Sequence, residues 1–168
     1  MFNNINIAMK AEMPGAIAPF GFFDPLGFAK KADAATLAKY RESELKHGRT
    51  AMLAVFGILT TEKWHPLYDG KLSSNPLQAL ADCPPLAFVQ IIAFCGLLEY
   101  AFMEQSKLPG SNAGDVFGLN DRTEDPKWID LQNRELSNGR LAMFAVLGEL
   151  AHAGLTGKGP LEYWVSII

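Results

Sequence analysis

The chain repeats itself at an offset of 91 residues. Glu44 to Gly57, ELKHGRTAMLAVFG, aligns without a gap on Glu135 to Gly148, ELSNGRLAMFAVLG, and nine of the fourteen positions are identical. The same offset carries FDPLGF, Phe23 to Phe28, onto GDVFGL, Gly114 to Leu119, keeping Asp24 as Asp115 and Gly27 as Gly118. The repeated unit is a turn, a linker of fixed length and a helix, so two copies of one supersecondary element organise the fold.

The first repeat helix is expected over residues 34–61, with Asp33 as N-cap and the Trp64-His65-Pro66 run as its stop. The other repeat helix is expected over residues 126–153, with Pro126 in its first turn and the glycines Gly154, Gly157 and Gly159 ending it. Between them lies PLAFVQIIAFCGLLEYAFMEQ, residues 85–105, with only Gln90 and Glu99 polar before its end. A run of that length is enough to cross a bilayer and is the strongest transmembrane signal in the chain. The expected fold is an all-α membrane protein. It has one domain over residues 1–168, three transmembrane helices, the first and third a pseudo-twofold crossed pair, and the second between them.

Each repeat helix, at 1.5 Å per residue, is roughly 42 Å long, longer than the hydrocarbon layer, so tilt or an interfacial first turn absorbs the excess. Lys46 and Arg134 then snorkel to the interface. Trp64, Trp128 and Trp164 fall near helix ends, where interfacial rings are expected. One span between the repeats makes them cross in the same direction, related by an axis along the membrane normal. Lys10, Lys30, Lys31, Lys39, Arg41, Lys107, Arg122 and Lys127 lie on the N-terminal side, against Lys63, Lys71 and Lys158 on the other, which sets the orientation.

Bulk properties exclude other classes. A length of 168 residues suits one domain. A net charge of -3 with fifteen scattered basic residues lacks the basic surface that nucleic acid needs. Cys83 and Cys95 give neither a disulfide framework nor paired metal-ligand spacing. The mean hydropathy of +0.06 is low for a membrane protein, but it averages apolar blocks with polar, Pro- and Gly-rich loops.

The repeated charges need a reason. Glu44 and Arg49 are five residues apart, about 140° around a helix, and are poorly placed to pair with each other. If the repeat helices cross near a twofold axis, Glu44 meets Arg140 while Glu135 meets Arg49. Gly48, Ala51 and Ala54, matched by Gly139, Ala142 and Ala145, let two backbones approach closely in a membrane. Interface salt bridges alone would account for such pairs. His47 and Asn138 add something else: they share the position three after each Glu, and each offers one neutral lone pair. A neutralised carboxylate, an imidazole and an amide each suit the single axial position of a metal held mainly by another group, such as Mg²⁺ in a tetrapyrrole.

ESELKHGRTAML, Glu42 to Leu53, and LQNRELSNGRLAMFAVLGE, Leu131 to Glu149, resemble the first and third helices of the light-harvesting chlorophyll-binding superfamily. FDPLGF before the first helix, GLTG (Gly154 to Gly157) after the third, and the compact length resemble its chlorophyll a/c branch in red-lineage algae. The resemblance covers nearly the whole chain from Phe20 on. It implies that Glu44 and Glu135 ligate chlorophyll while paired to Arg140 and Arg49, and that His47 and Asn138 are central-magnesium ligands. His152, twelve after Arg140, falls at a further ligand position, and Glu99 at one on the middle helix. Gln90 is either a ligand or interhelical glue. Asp24 and Asp115 mark turns near which carotenoid end groups lie, the second turn lacking the Pro of the first. Glu149 matches no ligand position and is expected to be a protonated hydrogen-bonding group, and His65 a loop residue.

The implied cofactors are chlorophyll a, chlorophyll c and xanthophylls of the fucoxanthin, diadinoxanthin or peridinin type. The implied partners are a photosystem core, neighbouring antenna subunits and thylakoid lipids, with no nucleic acid. The implied place is the plastid thylakoid membrane with a stromal N-terminus. The implied function is an antenna that passes excitation to a photosystem. A photoprotective quenching member, responding through acids such as Asp69 or Asp82, and a pigment-poor structural or assembly membrane protein are the alternatives. No nucleophile-base-acid set or phosphate loop points to an enzyme. The N-terminal MFNNINIAMKAEMPGAIAPF has no basic start with an apolar core, so a processed or trimmed form is expected.

The crossed-pair reading predicts unequal effects of two substitutions. Stranding a buried charge costs about 3 to 5 kcal/mol, so Arg140→Leu lowers recovery of folded protein in a reconstitution assay more than Glu44→Gln. Equal recovery contradicts the crossing.

Overall fold

The computed structural model describes residues 14–18, 20–64, 70, 72–102 and 126–167, and among them six helices. They are α1 (Phe28–Lys31), α2 (Ala34–Lys63), α3 (Pro76–Asp82), α4 (Pro85–Phe102), α5 (Pro126–Thr156) and α6 (Pro160–Ile167). The described residues contain no strand, and a single isolated bridge joins Ile17 to Gly21. The chain divides into two compact units, Met1–Lys46 with Phe102–Gly139 and His47–Ala101 with Arg140–Ile168. Both long helices thus change unit inside the repeated motif.

In the first unit, local hydrogen bonds set the entry to α2. Gly27 takes φ 71, a left-handed conformation that suits glycine, and its N–H donates to the Asp24 carbonyl at 3.3 Å. Asp33 Oδ1 accepts from the Thr36 N–H at 3.1 Å, satisfying an orphan donor of the first turn. Bonding to Thr36 holds the Asp33 carboxyl below its ordinary value. The cap is therefore intact above that ordinary value and is lost as pH falls through the lower folded one. On α5, Asn133 Oδ1 accepts the Gly15 N–H at 2.7 Å, which ties the segment before the first turn motif to this helix.

In the second unit, the chain ends of four helices are stitched by side-chain to backbone bonds. Asn75 is the N-cap of α3: its Oδ1 accepts from Leu77 N–H at 2.9 Å, with Pro76 in the first turn. Its Nδ2 also donates to the Ala153 carbonyl of α5 at 3.3 Å, and Asn75 is buried. Thr60 and Thr61 near the end of α2 turn their hydroxyls back onto the carbonyls of Phe56 and Gly57, both at 2.7 Å. Gly154 does not stop α5. It lies within the helix with a Leu77 methyl 3.6 Å from where its Cβ would be. The helix ends at Gly157, whose φ of 70 and N–H bond to the Ala153 carbonyl at 3.0 Å form a left-handed C-terminal cap.

Very little of this is a protein core. Apart from Pro160, the buried apolar side chains among the described residues are Ala87, Leu136, Ala142 and Ala153, three of them alanine. On α4, Leu86, Val89, Ile92, Phe94, Leu97 and Tyr100 stand exposed.

No single helix among the described residues is long and apolar enough to cross a membrane. The pair Pro76–Asp82 and Pro85–Ala101, bent by 101° at the break, passes by length and composition. The expectation of three separate spans is therefore met only as a mostly helical chain. The reason is arithmetic: the 18 residues of α4 reach about 27 Å against a hydrocarbon layer of about 30 Å, and residues 103–105 lie outside the described residues. The 30 residues of α2 and 31 of α5 have the length, but charges interrupt their apolar runs.

Asn75→Ala removes the cap of α3 and one of the two donors to the Ala153 carbonyl, which keeps the Gly157 N–H, costing about 1 to 2 kcal/mol. The thermal midpoint of the reconstituted protein falls, and Asn75→Ser, which restores the cap alone, recovers part of the loss.

Candidate functional site

Glu44 has a partner within its own helix. Arg41 lies one turn earlier, and its guanidinium meets Glu44 Oε2 at 2.9 Å with both side chains half-buried. Lys46 pairs in the same way with Glu42 at 2.7 Å. Interlocked i,i+3 and i,i+4 pairs line this stretch of α2 and offset the acids locally, at a few tenths of a kcal/mol each where exposed. Arg41 stands three residues before Glu44, a spacing that pairs within one helix, unlike Arg49 five residues after it.

His47 follows on the exposed face of α2, and its carbonyl accepts the Thr50 hydroxyl at 3.0 Å. Gly48 beside it is buried and Arg49 half-buried. On α5 the pattern recurs: Glu135 half-buried, Asn138 exposed, Gly139 buried, Arg140 half-buried. The repeat in sequence is thus a repeat in exposure. In each helix the lone-pair donor stands on the open side and the glycine on the closed side. On α4, Gln90 and Glu99 are exposed among apolar neighbours.

His152 near the end of α5 has a different setting. Both ring nitrogens are buried and lack a hydrogen-bond partner, as does Oε2 of Glu149 one turn before it. The ring packs edge-on against Tyr163 of α6, with centroids 4.5 Å apart and planes at 72°. Leaving such polar atoms unsatisfied costs about 1 to 3 kcal/mol, a cost that a ligand relieves.

Asp24 is the hub of the first turn motif. Its Oδ1 accepts the Phe28 N–H at 3.0 Å and its Oδ2 the Lys30 N–H at 3.1 Å, so one carboxylate caps α1. The matching Asp115 and Gly118, together with His65 and Asp69, lie outside the described residues.

Sequence reasoning missed Asn133, Glu62 and Tyr163. Glu62 Oε2 accepts the Leu161 N–H at 2.9 Å and Oε1 accepts the Glu162 N–H. Its signal lay in Gly159-Pro160, a capless helix start that needs an acceptor from elsewhere.

Single neutral or neutralised donors spaced along helices fit the axial position of a macrocycle-held magnesium. Among the described residues, no group of three or more His, Cys, Asp or Glu is arranged to hold a free ion. The orphaned His152 nitrogens fit such a ligand most directly.

Comparison with known proteins identifies the family. The family model described as chlorophyll A-B binding protein matches residues 9–154, and the chain belongs to that family. It is 36% identical to fucoxanthin-chlorophyll a-c binding protein B, chloroplastic, of Macrocystis pyrifera, over 92% of this chain and 76% of that protein. It is 40% identical to the fucoxanthin-chlorophyll a-c binding protein, chloroplastic, of Chattonella marina var. antiqua, over 83% of this chain and 67% of that one. A third relative, fucoxanthin-chlorophyll a-c binding protein F, chloroplastic, of Phaeodactylum tricornutum, is 35% identical over 89% of this chain and 82% of its own length.

Proposed function

We infer that the chain is a light-harvesting antenna subunit of the plastid thylakoid, holding chlorophyll a, chlorophyll c and a fucoxanthin-type xanthophyll and serving a photosystem core. The observation that carries this reading is the outward apolar surface of α4 and the repeat helices in a chain of the chlorophyll-binding family. Soluble monomers rarely expose contiguous apolar patches beyond a few hundred Å², and larger ones mark membrane or ligand surfaces. Lipid and flat macrocycles bury that surface here.

Bound chlorophyll and xanthophyll supply light absorption and the passage of excitation between close neighbours. The residues supply position. His47, Asn138 and His152 offer neutral donors to magnesium. Glu44 and Glu135 offer carboxylates whose charge is offset by arginine, with Arg41 doing so within α2 and Arg49 and Arg140 from the repeat motif. Glu99, and Gln90 beside the same apolar surface, serve α4. Asp24 and Asp115 shape turns for xanthophyll end groups. Three helices cross the membrane, with the N-terminus stromal and neighbouring antenna subunits alongside.

Refolding with chlorophylls a and c and a xanthophyll tests the reading. Xanthophyll and chlorophyll c excitation must appear as chlorophyll a emission; a strongly shortened emission lifetime assigns the quenching role instead. His47→Leu is predicted to lose one chlorophyll per protein while the helical circular dichroism is kept, because the neighbouring ion pairs of α2 remain. Unchanged pigment stoichiometry in that variant removes His47 from the ligand set.

A further inference from the structure

We propose that Glu62, at the C-terminal end of α2, is a positioning residue for the pigment held at His152, acting through α6 and the ring of Tyr163. The inference rests on the reading of His152 as a magnesium ligand. A metal-ligating histidine ordinarily has its ring fixed by a hydrogen bond from its other nitrogen to a carboxylate, a carbonyl or water. His152 has no such bond at either nitrogen. What the ring does have is Tyr163, edge-on at 4.5 Å. The orientation of the imidazole is therefore set by where α6 places that ring.

Glu62 sets the start of α6. Gly159 precedes Pro160 and has no side chain to cap the helix, so the first-turn N–H groups of Leu161 and Glu162 turn to the Glu62 carboxylate. The contact is close enough to demand glycine. A Cβ at Gly159 would lie 2.5 Å from Glu62 Oε1 and 2.8 Å from the Ser74 carbonyl oxygen. The Ser74 hydroxyl adds a bond to Glu162 Oε2 at 3.0 Å. Tyr163 comes next, its N–H bonded to the Gly159 carbonyl at 3.1 Å. A continuous path of bonds and one ring contact thus joins Glu62 to His152.

The test is reconstitution with chlorophylls and xanthophyll, read by pigment stoichiometry and absorption difference spectra. His152→Leu defines the pigment: one chlorophyll is lost, and the difference spectrum gives its band. In Glu62→Ala the same band shifts or loses occupancy while the other bands stay. Glu62→Gln, which keeps an acceptor oxygen, recovers most of it. Tyr163→Leu leaves the cap of α6 in place and moves the same band, so the proposal is testable even where Glu62→Ala does not refold. The proposal is overturned if His152→Leu loses its chlorophyll but Glu62→Ala and Tyr163→Leu leave that band unmoved and fully occupied. Loss spread evenly over all pigments in these variants overturns it as well, as a general structural effect. If His152→Leu loses no pigment, the ligand reading itself fails, and the proposal with it.

Discussion

The apolar side chains of these helices have almost no protein to bury against. Hydrophobic burial is the main favourable term in folding, at about 25 cal/mol per Å². Here the buried apolar set among the described residues is one leucine, three alanines and Pro160. The helices hold their shape through backbone bonds, caps and short ion pairs, while the large side chains point outward. Such a chain needs something other than itself to fill the space, and in the proposed function lipid and macrocycles meet that need. The lone donors His47 and Asn138 stand on the exposed sides of α2 and α5, where the proposed pigment sites lie. The small residues Gly48 and Gly139, at matching positions of the repeat, are both buried.

Polar residues in this setting divide by whether the protein satisfies them. Asp24, Asp33, Asn75 and Glu62 all end on backbone N–H groups and so organise turns and helix starts. Asn75 and Glu62 reach across the second unit, and between them they fix the ends of α3, α5 and α6. His152 and Glu149 have polar atoms that are buried and left over. A structure that satisfies its polar groups nearly everywhere concentrates interest on such exceptions.

The repeat was legible because duplication writes the same helix twice, and the family followed from its E-x-x-[HN]-x-R pattern. The body of α4 was legible from one uninterrupted apolar run. The short helices were not. The start signals of α3 and α6, Asn75-Pro76 and Gly159-Pro160, sit in stretches too short for hydrophobic periodicity to register. Gly154 read as a helix stop, yet glycine ends a helix only where the backbone turns left-handed, and that happens at Gly157. Arg41 was within reach of a helical-spacing argument, three before Glu44. Glu62 was not, since its partners lie about a hundred residues away in sequence. Three spans were expected from the sequence, and α2 and α5 do not pass as spans for a physical reason: the charges of the repeated motif lower the hydropathy of the helices that carry them.

The most direct measurement is the pigment content of the gently purified protein, by chromatography with the absorption spectrum of the same sample. The account predicts several molecules of chlorophyll a with chlorophyll c and a xanthophyll in fixed ratio to protein. A stable, folded protein carrying no tetrapyrrole contradicts it, and would leave the repeated motif as a helix contact alone.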